Sequence, residues 1–240
     1  MAKLIKKRKE LFNEFQQRIG YSFENDELLN RAFTHSSFAN EHKRQNLSNN
    51  ERLEFLGDSV LSVVVSDYIF EKYPNYPEGE LTKLRATVVC EPSLAIIAKK
   101  LNLGIYLLLG KGEEATGGRE RVSIVADAVE AVIGAIYLDG GLINARKFIL
   151  SIFTAIIDEA VKGKLFIDYK TELQEVLQRT TKAKIRYTVI NEDGPDHNKI
   201  FQIGVKVGNK LLGEGMGKSK KEAEQNAAKS ALSDLGVINE

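Results

Sequence analysis

Five carboxylates in two short stretches could do chemistry. In Asn50-Glu51-Arg52-Leu53-Glu54-Phe55-Leu56-Gly57-Asp58-Ser59, the acids Glu51, Glu54 and Asp58 stand at i, i+3 and i+7. At about 100° per helical residue they fall within about 60° of one another. In residues 122–138 the only charges are Asp127 and Glu130, at i and i+3, set among Ile124, Val125, Ala128, Val129 and Ile133. No Lys or Arg lies in that run, and Arg121 stands just before it. Packed carboxylates must be protonated, paired or bound to a cation. A solvated acidic face is the plain reading of either helix alone. If the two helices face each other, Glu54, Asp58, Asp127 and Glu130 converge, and their oxygens suit a hard ion, Mg²⁺ or its substitute Mn²⁺. Such an ion would make water a usable nucleophile and stabilise charge on a phosphoryl group.

Competing chemistries find less support. A di-iron bundle site uses Glu-x-x-His, but His35, His42 and His197 have Ala32, Ala39 and Gly194 three residues earlier. No Ser-His-Asp or Cys-His arrangement stands out. Cys90, the only cysteine, lies in an apolar stretch and reads as a small core residue. A lone cysteine excludes an intrachain disulfide and a multi-thiolate zinc site.

The elements that must position these acids look helical over the first two thirds. Apolar residues recur at helical spacing, or fill whole helices, in 53–69, 94–101, 122–138 and 145–161. Pro74, Pro77, Gly110, Gly112, Gly117, Gly118, Gly140 and Gly141 separate them. After a short linker, 162–167, a helix is expected from Tyr169 to about Thr180. Strand alternation follows in Ile185, Tyr187 and Val189 and in Phe201, Ile203, Val205 and Val207, with a turn over 192–196 between them. A short third strand over 210–213 leads through a Gly-rich turn into a last helix, about 220–235, that buries Ala223, Ala227, Ala231 and Leu235. The expected architecture is an all-α domain, 8–161, followed by a small α+β (α-β-β-β-α) module, 168–237.

The 240 residues exceed one typical domain. Lys+Arg is 34 and Asp+Glu 33, so a uniformly basic coat is excluded while local basic patches are not. No apolar signal core follows the Lys-rich start, and no run of 18 uncharged apolar residues occurs, so no membrane association and a cytoplasmic location are expected. Lys218, Lys220 and Lys221 sit at the start of the last helix. A helix N-terminus with three lysines makes a local phosphate site, although a lysine cluster can also be a solvated face.

Residues 50–59 (NERLEFLGDS), 126–130 (ADAVE), 168–175 (DYKTELQE) and 213–223 (GEGMGKSKKEA) together resemble bacterial ribonuclease III. The first motif is highly specific, and the likeness runs over nearly the whole chain. It implies a nuclease domain followed by a double-stranded-RNA-binding domain. Glu54, Asp58, Asp127 and Glu130 match metal-binding acids, with Asp58 and Glu130 most critical for turnover. Glu51 and Glu78 match two further acids near the cleft. Phe55 matches an aromatic that enters a pocket on a partner subunit, against which stands an ordinary core phenylalanine. His35 matches a family pattern and reads as structural. Thr171, Gln174 and Glu175 match residues facing the RNA minor groove, His197 a loop entering the next one, and Lys218, Lys220 and Lys221 a phosphate clamp between them. The resemblance further implies a Mg²⁺-dependent homodimer with no small-molecule cofactor. It would cut double-stranded RNA to 5′-phosphate and 3′-hydroxyl ends with two-nucleotide 3′ overhangs, processing precursor rRNA and structured mRNA. Two rivals remain: an RNA-binding scaffold that does not cleave, and a phosphohydrolase of small substrates.

Overall fold

The computed structural model describes residues 2–45, 47–163, 165, 169–180, 184–195, 199–208 and 210–237. The chain divides into two compact units, residues 1–165 and 166–240. The first is helical and the second is built on a three-stranded sheet.

In the first unit, two helices form the central pair. α4 (Glu51–Lys72) buries Leu53, Val60, Leu61, Val64, Val65 and Ile69 along one face. Each such aliphatic side chain contributes about 1.5–3 kcal/mol when taken fully out of water. Glu51 and Glu54 lie in its first turn, where the helix dipole favours negative charge. α8 (Val122–Val161) is apolar nearly all round and buries Ile124, Val125, Ala128, Val129, Val132, Ile133 and Ile136. It breaks at Gly141, whose φ of 75° and ψ of −178° no helix accommodates. Shorter helices wrap this pair: α1 (Ala2–Ile19), α2 (Asp26–Ala32), α3 (Ser36–Glu41), α5 (Glu78–Val88), α6 (Glu91–Lys100) and α7 (Lys111–Ala115). Phe15, Phe33 and Tyr106 pack their rings within 4.9–5.4 Å of one another at one end of the core.

Two glycines set how close α4 and α8 come. A Cβ on Gly57 would lie 1.8 Å from the Glu130 carbonyl oxygen, and one on Gly134 would lie 2.2 Å from that of Leu53. Only hydrogen fits at either place, so the backbones touch where the acids are carried.

In the second unit, α9 (Tyr169–Thr180) and α10 (Lys220–Asp234) accompany the antiparallel sheet β1 (Ile185–Asp193), β2 (Ile200–Val207) and β3 (Lys210–Gly217), in the order β1-β2-β3. Leu173, Leu177, Val205, Ala227, Ala228, Ala231 and Leu232 form its core.

Four local expectations are corrected here. The glycines at 215 and 217 do not make a turn. They continue the strand that holds Gly213, and the three stand opposite Val205 (Gly213), Ile203 (Gly215) and Phe201 (Gly217). A Cβ at Gly215 would lie 2.1 Å from the Ala227 nitrogen, and Gly213 and Gly217 are crowded by α10 in the same way. Alternate glycines thus let the strand lie directly on the Ala223, Ala227 and Ala231 stripe. Leu235 is not buried but 44% exposed, because α10 ends at Asp234 and Leu235 is its C-cap. Val189 keeps the alternation of β1, opposite Ile203, but is exposed, whereas Ile185 and Tyr187 before it are half-buried against the core of the unit. Cys90 is also not a core residue: it is the half-buried N-cap of α6, with Sγ 3.1 Å from the Thr87 carbonyl oxygen.

Candidate active site and RNA-binding face

The glycine-mediated approach of α4 to α8 brings carboxylates together. Glu54, Asp127 and Glu130 each place an oxygen within 4.8 Å of the other two. All three are half-buried. Asp58 is exposed and stands outside this tight group, but its charge acts on both Glu54 and Glu130. Glu51, also exposed, acts on Glu54.

The electrostatics report unrelieved crowding. Burial, then the charges of Asp58, Glu54 and Asp127, push the Glu130 carboxyl up to about 8. Glu54 is raised by burial and by Asp127, Glu51 and Asp58. Asp127 is raised by burial and by Glu91, and lowered by His35. A divalent cation would neutralise this charge. The donors are all oxygen, as hard cations prefer. The residues therefore fit Mg²⁺ or Mn²⁺.

Glu78 is not brought to this cluster. It opens α5 and accepts a hydrogen bond from Thr82 Oγ1 at 2.8 Å. It lines a groove of about 470 Å³ with Ser66, Asp67, Phe70, Leu81 and Arg85. Ser66 is twelve residues along α4 from Glu54, about 18 Å at 1.5 Å per residue. Phe55 is no core residue: it is 78% exposed. Val63 and Phe70 are exposed on the same helix, and helical spacing sets the three within about 80° of one another.

In the second unit, Thr171, Gln174 and Lys221 line one cavity of about 320 Å³, together with Lys170, Ile185, Tyr187 and Gln225. Glu175 is exposed on α9, and Lys218 and Lys220 are exposed at the start of α10. Ser219 caps that helix by accepting from Glu222 N–H at 3.2 Å, while Glu222 accepts from Lys218 N–H at 2.8 Å. The cap holds the lysines at a defined helix end. Lys220 reaches Glu192 at 3.0 Å and lies over the Phe201 ring. His197 lies outside the described residues.

Sequence reasoning missed Glu91 and the part played by Gly57 and Gly134. Glu91 lies on α6 at no telling interval from Asp127. The glycines did carry a signal, since a glycine inside an apolar helix usually marks close packing.

A helical unit with a half-buried acidic cluster and an α-β-β-β-α module with a capped basic helix end suit, respectively, metal-assisted phosphate chemistry and the binding of a phosphate backbone. Two family profiles match the chain: "Ribonuclease-III-like" over residues 25–156 and "Double-stranded RNA binding motif" over residues 169–235. Ribonuclease 3 of Caldanaerobacter subterraneus subsp. tengcongensis is 55% identical over 223 residues, 93% of this chain and 97% of that one. Ribonuclease 3 of Desulforamulus reducens is 51% identical over 231 residues, 96% and 94% of the two chains. Among solved structures, the ribonuclease III nuclease domain of Campylobacter jejuni is 45% identical, with a TM-score of 0.55 over 59% of this chain and 94% of that one. The chain belongs to the ribonuclease III family. It is an endoribonuclease directed at double-stranded RNA.

Proposed function

We propose that the protein hydrolyses double-stranded RNA with Mg²⁺, which Mn²⁺ can replace, held by Glu54, Asp58, Asp127 and Glu130. The observation that carries this reading is the convergence of Glu54, Asp127 and Glu130 within 4.8 Å on two touching helices. When bound, the ion supplies an activated water and charge stabilisation at the phosphate. Glu130, the deepest in electrostatic terms, and Asp58, at the exposed rim, are the acids on which turnover depends most. Glu51 and Glu78 are auxiliary acids. Water adds to phosphorus as the 3′-oxygen leaves, which gives 5′-phosphate and 3′-hydroxyl ends.

Thr171, Gln174, Glu175 and His197 meet the minor groove, and Lys218, Lys220 and Lys221 clamp the phosphates between successive minor-groove contacts. The protein works as a homodimer. Support comes from the exposed Phe55, Val63 and Phe70 of α4 and from the neighbouring groove, which has room for an aromatic ring. The C. jejuni nuclease domain has a region involved in its own dimer formation. In an isologous pairing, each Phe55 enters the groove of the other copy and brings that copy's Glu78 toward the acidic end of α4. Two such sites, one per strand, yield two-nucleotide 3′ overhangs. The substrates are precursor rRNA and structured mRNA in the cytoplasm. No described helix is long and apolar enough to cross a membrane.

Cleavage of a long RNA duplex in Mg²⁺ tests this reading, with end analysis of the products. The wild type should cut and Glu130→Gln should not. An inactive wild type that still binds the duplex would instead favour a non-cleaving scaffold.

A further inference from the structure

One carboxylate stands inside the lysine cluster of the second unit. Glu192, near the end of β1, pairs in register with Phe201 of β2, and Phe201 pairs in turn with Gly217 of β3. Gly217 carries no side chain, and α10 starts against it: a Cβ there would lie 2.6 Å from the Ala223 nitrogen. Lys220, the first residue of α10, therefore reaches across the sheet. Its Nζ lies 5.4 Å from the centre of the Phe201 ring and 3.0 Å from Glu192 Oε1. Glu192 Oε2 takes a second lysine, Lys199, at 3.6 Å. The hydrogen bond from Lys220 holds the Glu192 carboxyl below the usual range, so the group is ionised at neutral pH. The Lys220 side chain is still 57% exposed, so a phosphate can reach it.

We propose that Glu192 is an internal counterion of the phosphate clamp, which occupies Lys220 in the RNA-free protein and which a backbone phosphate must displace. This rests on the reading of Lys218, Lys220 and Lys221 as that clamp. An exposed ion pair of this kind adds little to folding. Its effect falls on the ligand. Carboxylate and phosphate ask the same ammonium for the same hydrogen bonds, and the carboxylate also repels the incoming phosphate. The clamp therefore grips less tightly than its lysines alone would. Attraction to phosphates, which any nucleic acid offers, is lowered, and the contacts of α9 that read duplex shape weigh more in the total.

Glu192→Gln tests this. The amide keeps the length of the side chain and an oxygen that can accept from Lys220, and it removes the charge. Binding of the full chain to an RNA duplex of about 20 base pairs, longer than the span of about 16 that one such domain covers, is measured in EDTA over a range of salt concentrations. Thermal midpoints show that each variant is folded. Glu192→Gln should bind about two- to fivefold more tightly than the wild type. The slope of its log affinity against log salt should be steeper by up to about 1. In a Lys220→Ala background the gain should be lost. Unchanged binding overturns the proposal. So does weaker binding, because Glu192 would then be a support that holds Lys220 in place for the RNA. A gain that survives in full without Lys220 overturns it as well, because the charge would then act on the duplex at large. An unchanged salt slope on replacing all three lysines by Ala overturns the underlying clamp reading instead.

Discussion

The two units meet RNA chemistry in opposite ways. In the helical unit, charge of one sign is drawn together across two helices and partly buried, so that Glu130 titrates at about 8. In the second unit, lysines of the other sign are spread on the surface at one capped helix end, and none is buried. Burial costs free energy unless a partner arrives, so the first arrangement is poised for an ion. Exposed cations cost little and gain by releasing counterions from the duplex. Strain collects where bonds are broken, and binding is left to groups that stay solvated.

The sharpest way to break this contrast is Glu130→Gln. It should lower single-turnover cleavage by about 10²–10³-fold, the usual loss when a charge-stabilising group is removed, while duplex binding in metal-free buffer stays unchanged. Near-normal cleavage would end the assignment of the acidic site. Next comes Gly57→Ala, which forces a methyl into the Glu130 carbonyl. Chemical denaturation should show about 3 kcal/mol lost, together with weakened Mn²⁺ binding. Intact stability would show that the helices are not held by that contact.

Replacing Lys218, Lys220 and Lys221 together by Ala should act on the other side of the contrast. The slope of log affinity against log salt should become shallower by about 2–3, with the rate of bound-substrate cleavage preserved. An unchanged slope would remove these lysines from the interface.

The acidic site also predicts a pH dependence. A carboxyl at about 8 in the fold and near 4.5 unfolded leaves the metal-free folded protein holding more protons between those values. Its stability should therefore be greatest below pH 4.5, as far as this group is concerned, and be lost as pH rises toward 8. Melting in EDTA at pH 5.5 and pH 8 measures this, and Mg²⁺ at pH 8 should restore the loss. The smallest effect is expected of Leu235→Ser, within about 0.5 kcal/mol by thermal melting, because that residue caps α10 from the surface.

Much of this was legible along the chain. The acids at 51, 54, 58, 127 and 130 stand out because charge inside apolar helical runs is costly. The strand pattern of β2 was legible because one face is buried, and the alternation of Ile203 and Val205 follows from that. What escaped reading depended on neighbours distant in sequence. Gly215 and Gly217 suggest a turn until α10 is seen lying on them. Val189 continues the alternation of Ile185 and Tyr187 opposite Ile203, yet it is exposed where they pack against the core. Glu91 has no spacing that ties it to Asp127; its charge acts there because α6 packs beside α8.

The sequence by itself determined which residues could ligate a cation, which helix end could hold phosphates, and that helices precede a small sheet. These are local matters of periodicity, capping and charge. Only the tertiary structure decided that Glu54, Asp127 and Glu130 share one space while Asp58 stays at the rim and Glu78 lies elsewhere. That decision turns on the closest distance between two helices, fixed where Gly57 and Gly134 leave no side chain in the way.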